Sequence, residues 1–95
     1  MAYFVITCLD KAASLELRME TREVHHAYLE SQKDILRLAG PFLDAGGSPI
    51  GSMLIVEAAD QAEAEKFAAN DPYAKAGLFE SNTVHPWRKV IGDLS

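Results

Sequence analysis

The segment REVHHAYL, residues 22–29, sets two histidines side by side. An imidazole has an ordinary pKa of about 6.5, so it gives or takes a proton near neutrality and each ring is a candidate general acid or base. In a helix, neighbouring side chains point about 100° apart, and His25 and His26 cannot both face one site. His26 falls in the middle of the polar face with Arg22 and Glu30, where a solvated ring needs no further role. His25 falls at the boundary, near Thr21, Tyr28, Leu29 and Gln32, where one ring edge can enter a pocket while the other meets a polar partner. Asp71, in the tripeptide DPY, is available as that partner. Asp followed by Pro is also an N-cap signature, here for a short helix over 72–76. The same carboxylate could accept a hydrogen bond from His25, fixing its tautomer and raising its basicity. A carboxylate accepts several hydrogen bonds, so the two roles are compatible, and sequence separation does not choose between them.

Other chemistry is less well provided for. Cys8 lies inside an apolar run and reads as a core residue, because a reactive thiol needs a basic, accessible setting. His25, His26 and His85 lack metal-ligand spacing, so no metal site is expected. Gly46, Gly47 and Gly51 sit in a turn region without the strand-to-helix context of a phosphate cradle. No flavin, nicotinamide or haem motif is found, and the expectation is a site that works without a cofactor. With 95 residues, 48% hydrophobic and 24% charged, the composition suits one globular domain over 1–95. A net charge of −5 argues against nucleic acid as a partner, which requires clustered Lys and Arg. One cysteine excludes an internal disulfide, and no apolar run approaches a membrane span, so the expected location is the cytoplasm.

The elements that must position His25 and Asp71 follow from periodicity. Residues 2–9, AYFVITCL, predict a strand. From Ser14 the spacing turns helical, with a lead-in turn over 14–19 and an amphipathic helix over 20–31 whose apolar side carries Val24, Ala27, Tyr28 and Ser31. Residues 34–42 predict a second strand stopped by Gly40-Pro41, since proline has no ladder donor. DAGGSPIG supplies turn residues before a third strand over 52–58. Asp60 followed by Glu63 resembles a capping box opening a helix over 61–69, with Asn70 as its stop. Residues 78–85 predict the last strand, and the tail WRKVIGDLS carries no assignment. The order βαββαβ implies an α+β, ferredoxin-like domain with a four-stranded antiparallel sheet and both helices on one face. Consecutive apolar residues at 4–6 and 53–56 point to both faces of that sheet. The helix-free face therefore needs a cover, and a second copy of the sheet in a two-fold homodimer is expected; the alternative cover is the tail, Trp87 to Leu94, folded back.

Five short matches, in order along nearly the whole chain, resemble the YciI-like (YCII-related) proteins. They are R-x-x-H at Arg22 and His25, A-G-P at 39–41, Gly51-Ser52, D-P-Y-x-x-A-G at 71–77, and V-x-P-W-R-K at 84–89. The segment between Pro41 and Gly51 is shorter than in many of those proteins. The resemblance implies a dimeric ferredoxin-like α/β barrel with an active site around a His-Asp pair, mapping onto His25 and Asp71. Arg22, Gly40, Pro41, Ser52 and Tyr73 match positions expected to line the same pocket. A relative with an assigned reaction is a dehydrochlorinase acting on a chlorinated hydroxyquinol. The expected function is a cofactor-independent small-molecule enzyme of lyase, isomerase or dehydrochlorinase type, with His25 as general acid/base oriented by Asp71 and Arg22 holding an anionic group. The alternative is a non-catalytic small-molecule-binding or regulatory homodimer of the same fold.

Overall fold

A computed structural model describes residues 1–93. The elements run β1 (Ala2–Asp10), α1 (Leu15–Ser31), β2 (Leu36–Leu43), β3 (Pro49–Ala58), α2 (Gln61–Ala69), α3 (Pro72–Lys75) and β4 (Phe79–Trp87). The four strands form one antiparallel sheet in the order β2-β3-β1-β4, which is the ferredoxin-like arrangement. One face of the central strands, through Phe4, Ile6, Cys8, Leu54, Val56 and Ala58, packs against Ala64, Phe67 and Ala68 of α2. Tyr28 and Leu29 of α1 border the same core.

Local chemistry sets several boundaries. Asp60 accepts from the Glu63 N–H at 2.9 Å, and the Glu63 carboxylate accepts from the Ala59 N–H at 2.8 Å, so the two side chains cap α2 reciprocally. At Gly51, beside Ser52, the backbone of β3 lies tight against β1: a Cβ there would collide with the Cys8 carbonyl oxygen. Gly77 closes α3 with φ +78°, a left-handed conformation that glycine adopts without strain.

Four expectations are corrected. β2 does not stop at Gly40-Pro41 but continues to Leu43. It is an edge strand, where a missing N–H need not break a ladder, and Pro41 pairs in register with Ser52. The lead-in turn over 14–19 is the first part of a continuous helix from Leu15. The inner face of that helix is also not the apolar one, because Val24 is 59% exposed while Arg18 and His25 are buried. The polar groups turn inward because charged and polar partners wait for them at the end of the sheet. The tail does not cover the helix-free face either, since Val90 and Ile91 are exposed; Leu94 lies outside the described residues.

Candidate active site

Asp71 is the N-cap of α3, and its Oδ1 accepts the Tyr73 N–H at 2.9 Å. The same oxygen lies 2.8 Å from His25 Nδ1, so one carboxylate oxygen fills both positions that the sequence left open. Both side chains are buried. The Tyr73 ring stacks on the His25 ring, with centroids 3.9 Å apart and planes 15° from parallel. The imidazole is thus held by its edge and by its face. Among the described residues Nε2 has no partner, and none of their fully buried side-chain nitrogens or oxygens lacks one. That nitrogen is therefore the edge left open to the adjoining cavity.

The cavity holds about 210 Å³. An apolar cavity of about 150 Å³ takes a benzene-sized molecule, so this one suits a ligand built on a single ring. Arg22, His25, Gly40, Pro41, Ser52 and Tyr73 all line it, while Asp71 stands behind His25. Leu29, Ala39 and Leu54 supply apolar wall, and His26 stands at the rim, its ring 5.8 Å from that of His25.

One cationic residue of the lining was missed. Arg18 is 5% exposed and donates to both Asp10 oxygens through one nitrogen at 3.0 and 2.9 Å, and to Ser52 Oγ through another at 2.8 Å. Its guanidinium carbon lies 4.7 Å from the Tyr73 ring centroid. A signal was available in the spacing: Arg18, Arg22 and His25 stand at i, i+4 and i+7, one stripe of a helix.

Residues 2–88 match the model of the YCII-related domain. The chain belongs to the YCII-related family. Protein YciI of Escherichia coli is 39% identical to it over 93% of this chain and 98% of the relative. An uncharacterized Haemophilus influenzae protein is 32% identical over 94% and 99%. Among solved structures, 5-chloro-2-hydroxyhydroquinone dehydrochlorinase (TftG) from Burkholderia phenoliruptrix, in complex with 2,5-dihydroxybenzoquinone, superposes with a TM-score of 0.85. It is 38% identical, over 90% of this chain and 93% of that one. An antibiotic biosynthesis monooxygenase at 13% identity and TM-score 0.57, covering 96% and 100%, shares the fold alone.

The electrostatics of this YCII-related site favour neutral hydroxyls around a fixed charge pattern. Burial raises the Tyr73 hydroxyl above its ordinary pKa, with Arg18 pulling the other way, so it stays protonated and able to donate at neutral pH. Among the described residues that hydroxyl has no hydrogen-bond partner, so its donor is available to the cavity. The Cys8 thiol, on the strand beneath, is pushed up to about 12, chiefly by burial and then by the Asp71 and Asp10 carboxylates. It is not a nucleophile at neutral pH. Arg22 is exposed at the cavity rim, and among the described residues no carboxylate pairs with it. The described residues contain no cluster of three metal-ligating side chains. No helix among them is long and apolar enough to cross a membrane.

Proposed function

We propose that this protein is a cofactor-independent acid/base enzyme acting on a hydroxylated six-membered ring, of the lyase or isomerase type, with His25 Nε2 as the group that moves the proton. The observation that carries the reading is the buried 2.8 Å contact between His25 Nδ1 and Asp71, which leaves Nε2 as the open ring edge on a one-ring cavity. A carboxylate at Nδ1 stabilises the imidazolium that forms when Nε2 accepts a proton. Arg18 and Arg22 balance Asp10 and Asp71, so the charged groups around the cavity cancel before transfer. Afterwards a cationic imidazolium faces an anionic ligand, and that ion pair gains from the low dielectric of a buried site.

The similarity to TftG favours loss of a halide from a hydroquinone-type ring as the reaction to try first. In such a ring, His25 takes the proton of the hydroxyl next to the C–Cl bond and returns it to the chlorine-bearing carbon, giving the keto tautomer. It then takes the proton of the para hydroxyl, a second C=O forms, the ring double bond shifts, and chloride leaves with the C–Cl electron pair. HCl is lost and the ring becomes a quinone. No outside oxidant is required, because chloride carries away the two electrons. Tyr73 and Ser52 are placed to hydrogen-bond the ring oxygens, Arg22 to hold a negative charge at the rim, and Gly40 and Pro41 to shape the wall.

We infer that the helix-free sheet face, where Val5 and Met53 are half-buried and Leu38 is exposed, is covered by a second copy in a homodimer, because opposed apolar sheet faces bury each other. A free, buried Cys8 suits a reducing, cytoplasmic setting.

Incubation with 5-chloro-2-hydroxyhydroquinone in chelator-treated buffer, followed by chloride release and quinone absorbance, tests the reaction. Chloride release above the buffer rate is expected. Tight binding of 2,5-dihydroxybenzoquinone with no chloride release would instead favour the non-catalytic binding role.

A further inference from the structure

The buried Asp10–Arg18–Ser52 chain has no role in moving the proton, yet it ends on the same cavity as His25. Arg18 comes from the helix segment that sequence periodicity read as a turn, and Asp10 from the last residue of β1, where the ladder shifts register. The Arg18 and Asp10 side chains are each 7% exposed. A buried ion pair is a weak device for stability, because removing both charges from water offsets most of their attraction. What such a pair does well is fix a geometry.

The geometry fixed here is that of one hydroxyl. Ser52 Oγ accepts an N–H of Arg18 at 2.8 Å, which occupies an acceptor position and leaves its own hydrogen to be donated. Among the described residues that hydrogen has no acceptor on the protein. Ser52 is 3% exposed and its neighbour across the sheet is Pro41, another wall of the cavity. Gly51, lacking a Cβ, lets the preceding backbone lie close against β1. A donor with no protein acceptor, polarised by a cation on its own oxygen, is matched to an oxygen anion of a ligand.

We propose that Arg18, held by Asp10, is a positioning residue that presents Ser52 Oγ–H to the oxyanion of a phenolic or enolic ligand. This rests on the acid/base reading above: it makes Asp71–His25 the arm that takes the proton, and Asp10–Arg18–Ser52 the arm that receives the negative charge left behind. The ligand class narrows to rings or enols with one ionisable hydroxyl at the imidazole and a second oxygen, conjugated to it, at Ser52. A ring with a single isolated hydroxyl satisfies only one arm.

The test uses 2,5-dihydroxybenzoquinone, whose absorbance reports its ionisation, titrated from acid to neutral pH in the presence of the full-length protein. Bound to wild type, it should ionise at lower pH than in buffer. Ser52→Ala, which deletes one oxygen atom, should weaken binding of the anion roughly ten- to a hundred-fold and return the ionisation towards its value in buffer. Arg18→Gln paired with Asp10→Asn, which removes both charges without stranding either, should produce the same shift. Adding Ser52→Ala to that pair should change little more. A purely structural role would alter melting temperature and leave the spectrum of the bound probe unmoved. If both variants ionise the bound probe as wild type does while His25→Gln abolishes the effect, the proposal is overturned and the acid/base reading stands. A wild-type protein that does not bind the probe overturns both.

Discussion

Asp71→Asn separates the two jobs that one oxygen performs. Asn places a carbonyl oxygen where Asp71 Oδ1 accepts from the Tyr73 N–H and meets His25 Nδ1, so the cap and the hydrogen bond both survive and only the charge is lost. Stability should change by less than about 1 kcal/mol, since Asn and Asp are comparable N-caps. Asp71→Ala, by contrast, removes the cap, worth about 1 kcal/mol, and strands a buried ring nitrogen, worth about 1–3 kcal/mol. The total of about 2–4 kcal/mol corresponds to a fall in Tm of roughly 10–25 °C for a domain of this size. Turnover should behave differently, because the neutral Asn side chain lacks the charge that stabilises an imidazolium. The loss in kcat should therefore lie between roughly tenfold, for weakening one charge-assisted bond, and about 10⁴-fold, the effect of the equivalent change in a serine-protease triad. Circular-dichroism melts and chloride-release rates on the same preparations measure both. An Asn variant that keeps wild-type turnover would reduce Asp71 to a helix cap and refute the reasoning.

Tyr73→Phe keeps the ring stacked on His25 but removes the unpartnered hydroxyl, so melting should shift by under about 0.5 kcal/mol while 2,5-dihydroxybenzoquinone binds several-fold more weakly by calorimetry. Cys8 should resist a thiol reagent in the native protein at pH 8. Burial pushes its pKa in the folded state up to about 12, above the ordinary 9.0, so the folded state keeps the proton longer. This contribution to stability is fully present below pH 9 and is lost as pH rises through about 12, which an alkaline series of denaturant melts would register. Gly51→Ala should cost about 1–3 kcal/mol or abolish folding, because the added methyl meets backbone and not a flexible side chain. Sedimentation equilibrium at micromolar concentration should give twice the chain mass, and a single-chain mass would remove the sheet-to-sheet pairing.

Signals that act over a few residues were legible in the sequence: the capping pair at Asp60 and Glu63, the Asp-Pro start of α3, and the consecutive apolar residues that marked β1 and β3 as strands. The inner face of α1 was not. Hydrophobic periodicity assigns the buried side to the apolar residues, but Arg18 and His25 go inward because Asp10, Ser52 and Asp71, distant in sequence, satisfy them. Val24 is left outside as a result. Pro41 misled for a related reason, since whether a strand tolerates proline depends on its being at the sheet edge, and only the assembled order β2-β3-β1-β4 decides that. His25 was found by its boundary position and by family resemblance, whereas Arg18, without a motif, needed the folded sheet to bring its partners together.

The most direct test of proton transfer at Nε2 is the rate of chloride release from 5-chloro-2-hydroxyhydroquinone by wild type and His25→Gln, with 2,5-dihydroxybenzoquinone affinity measured on both. Glutamine fills similar space but cannot act as a base, so kcat should fall about 10²- to 10⁴-fold with affinity for the quinone changed only a few-fold. Equal rates for the two proteins would contradict it.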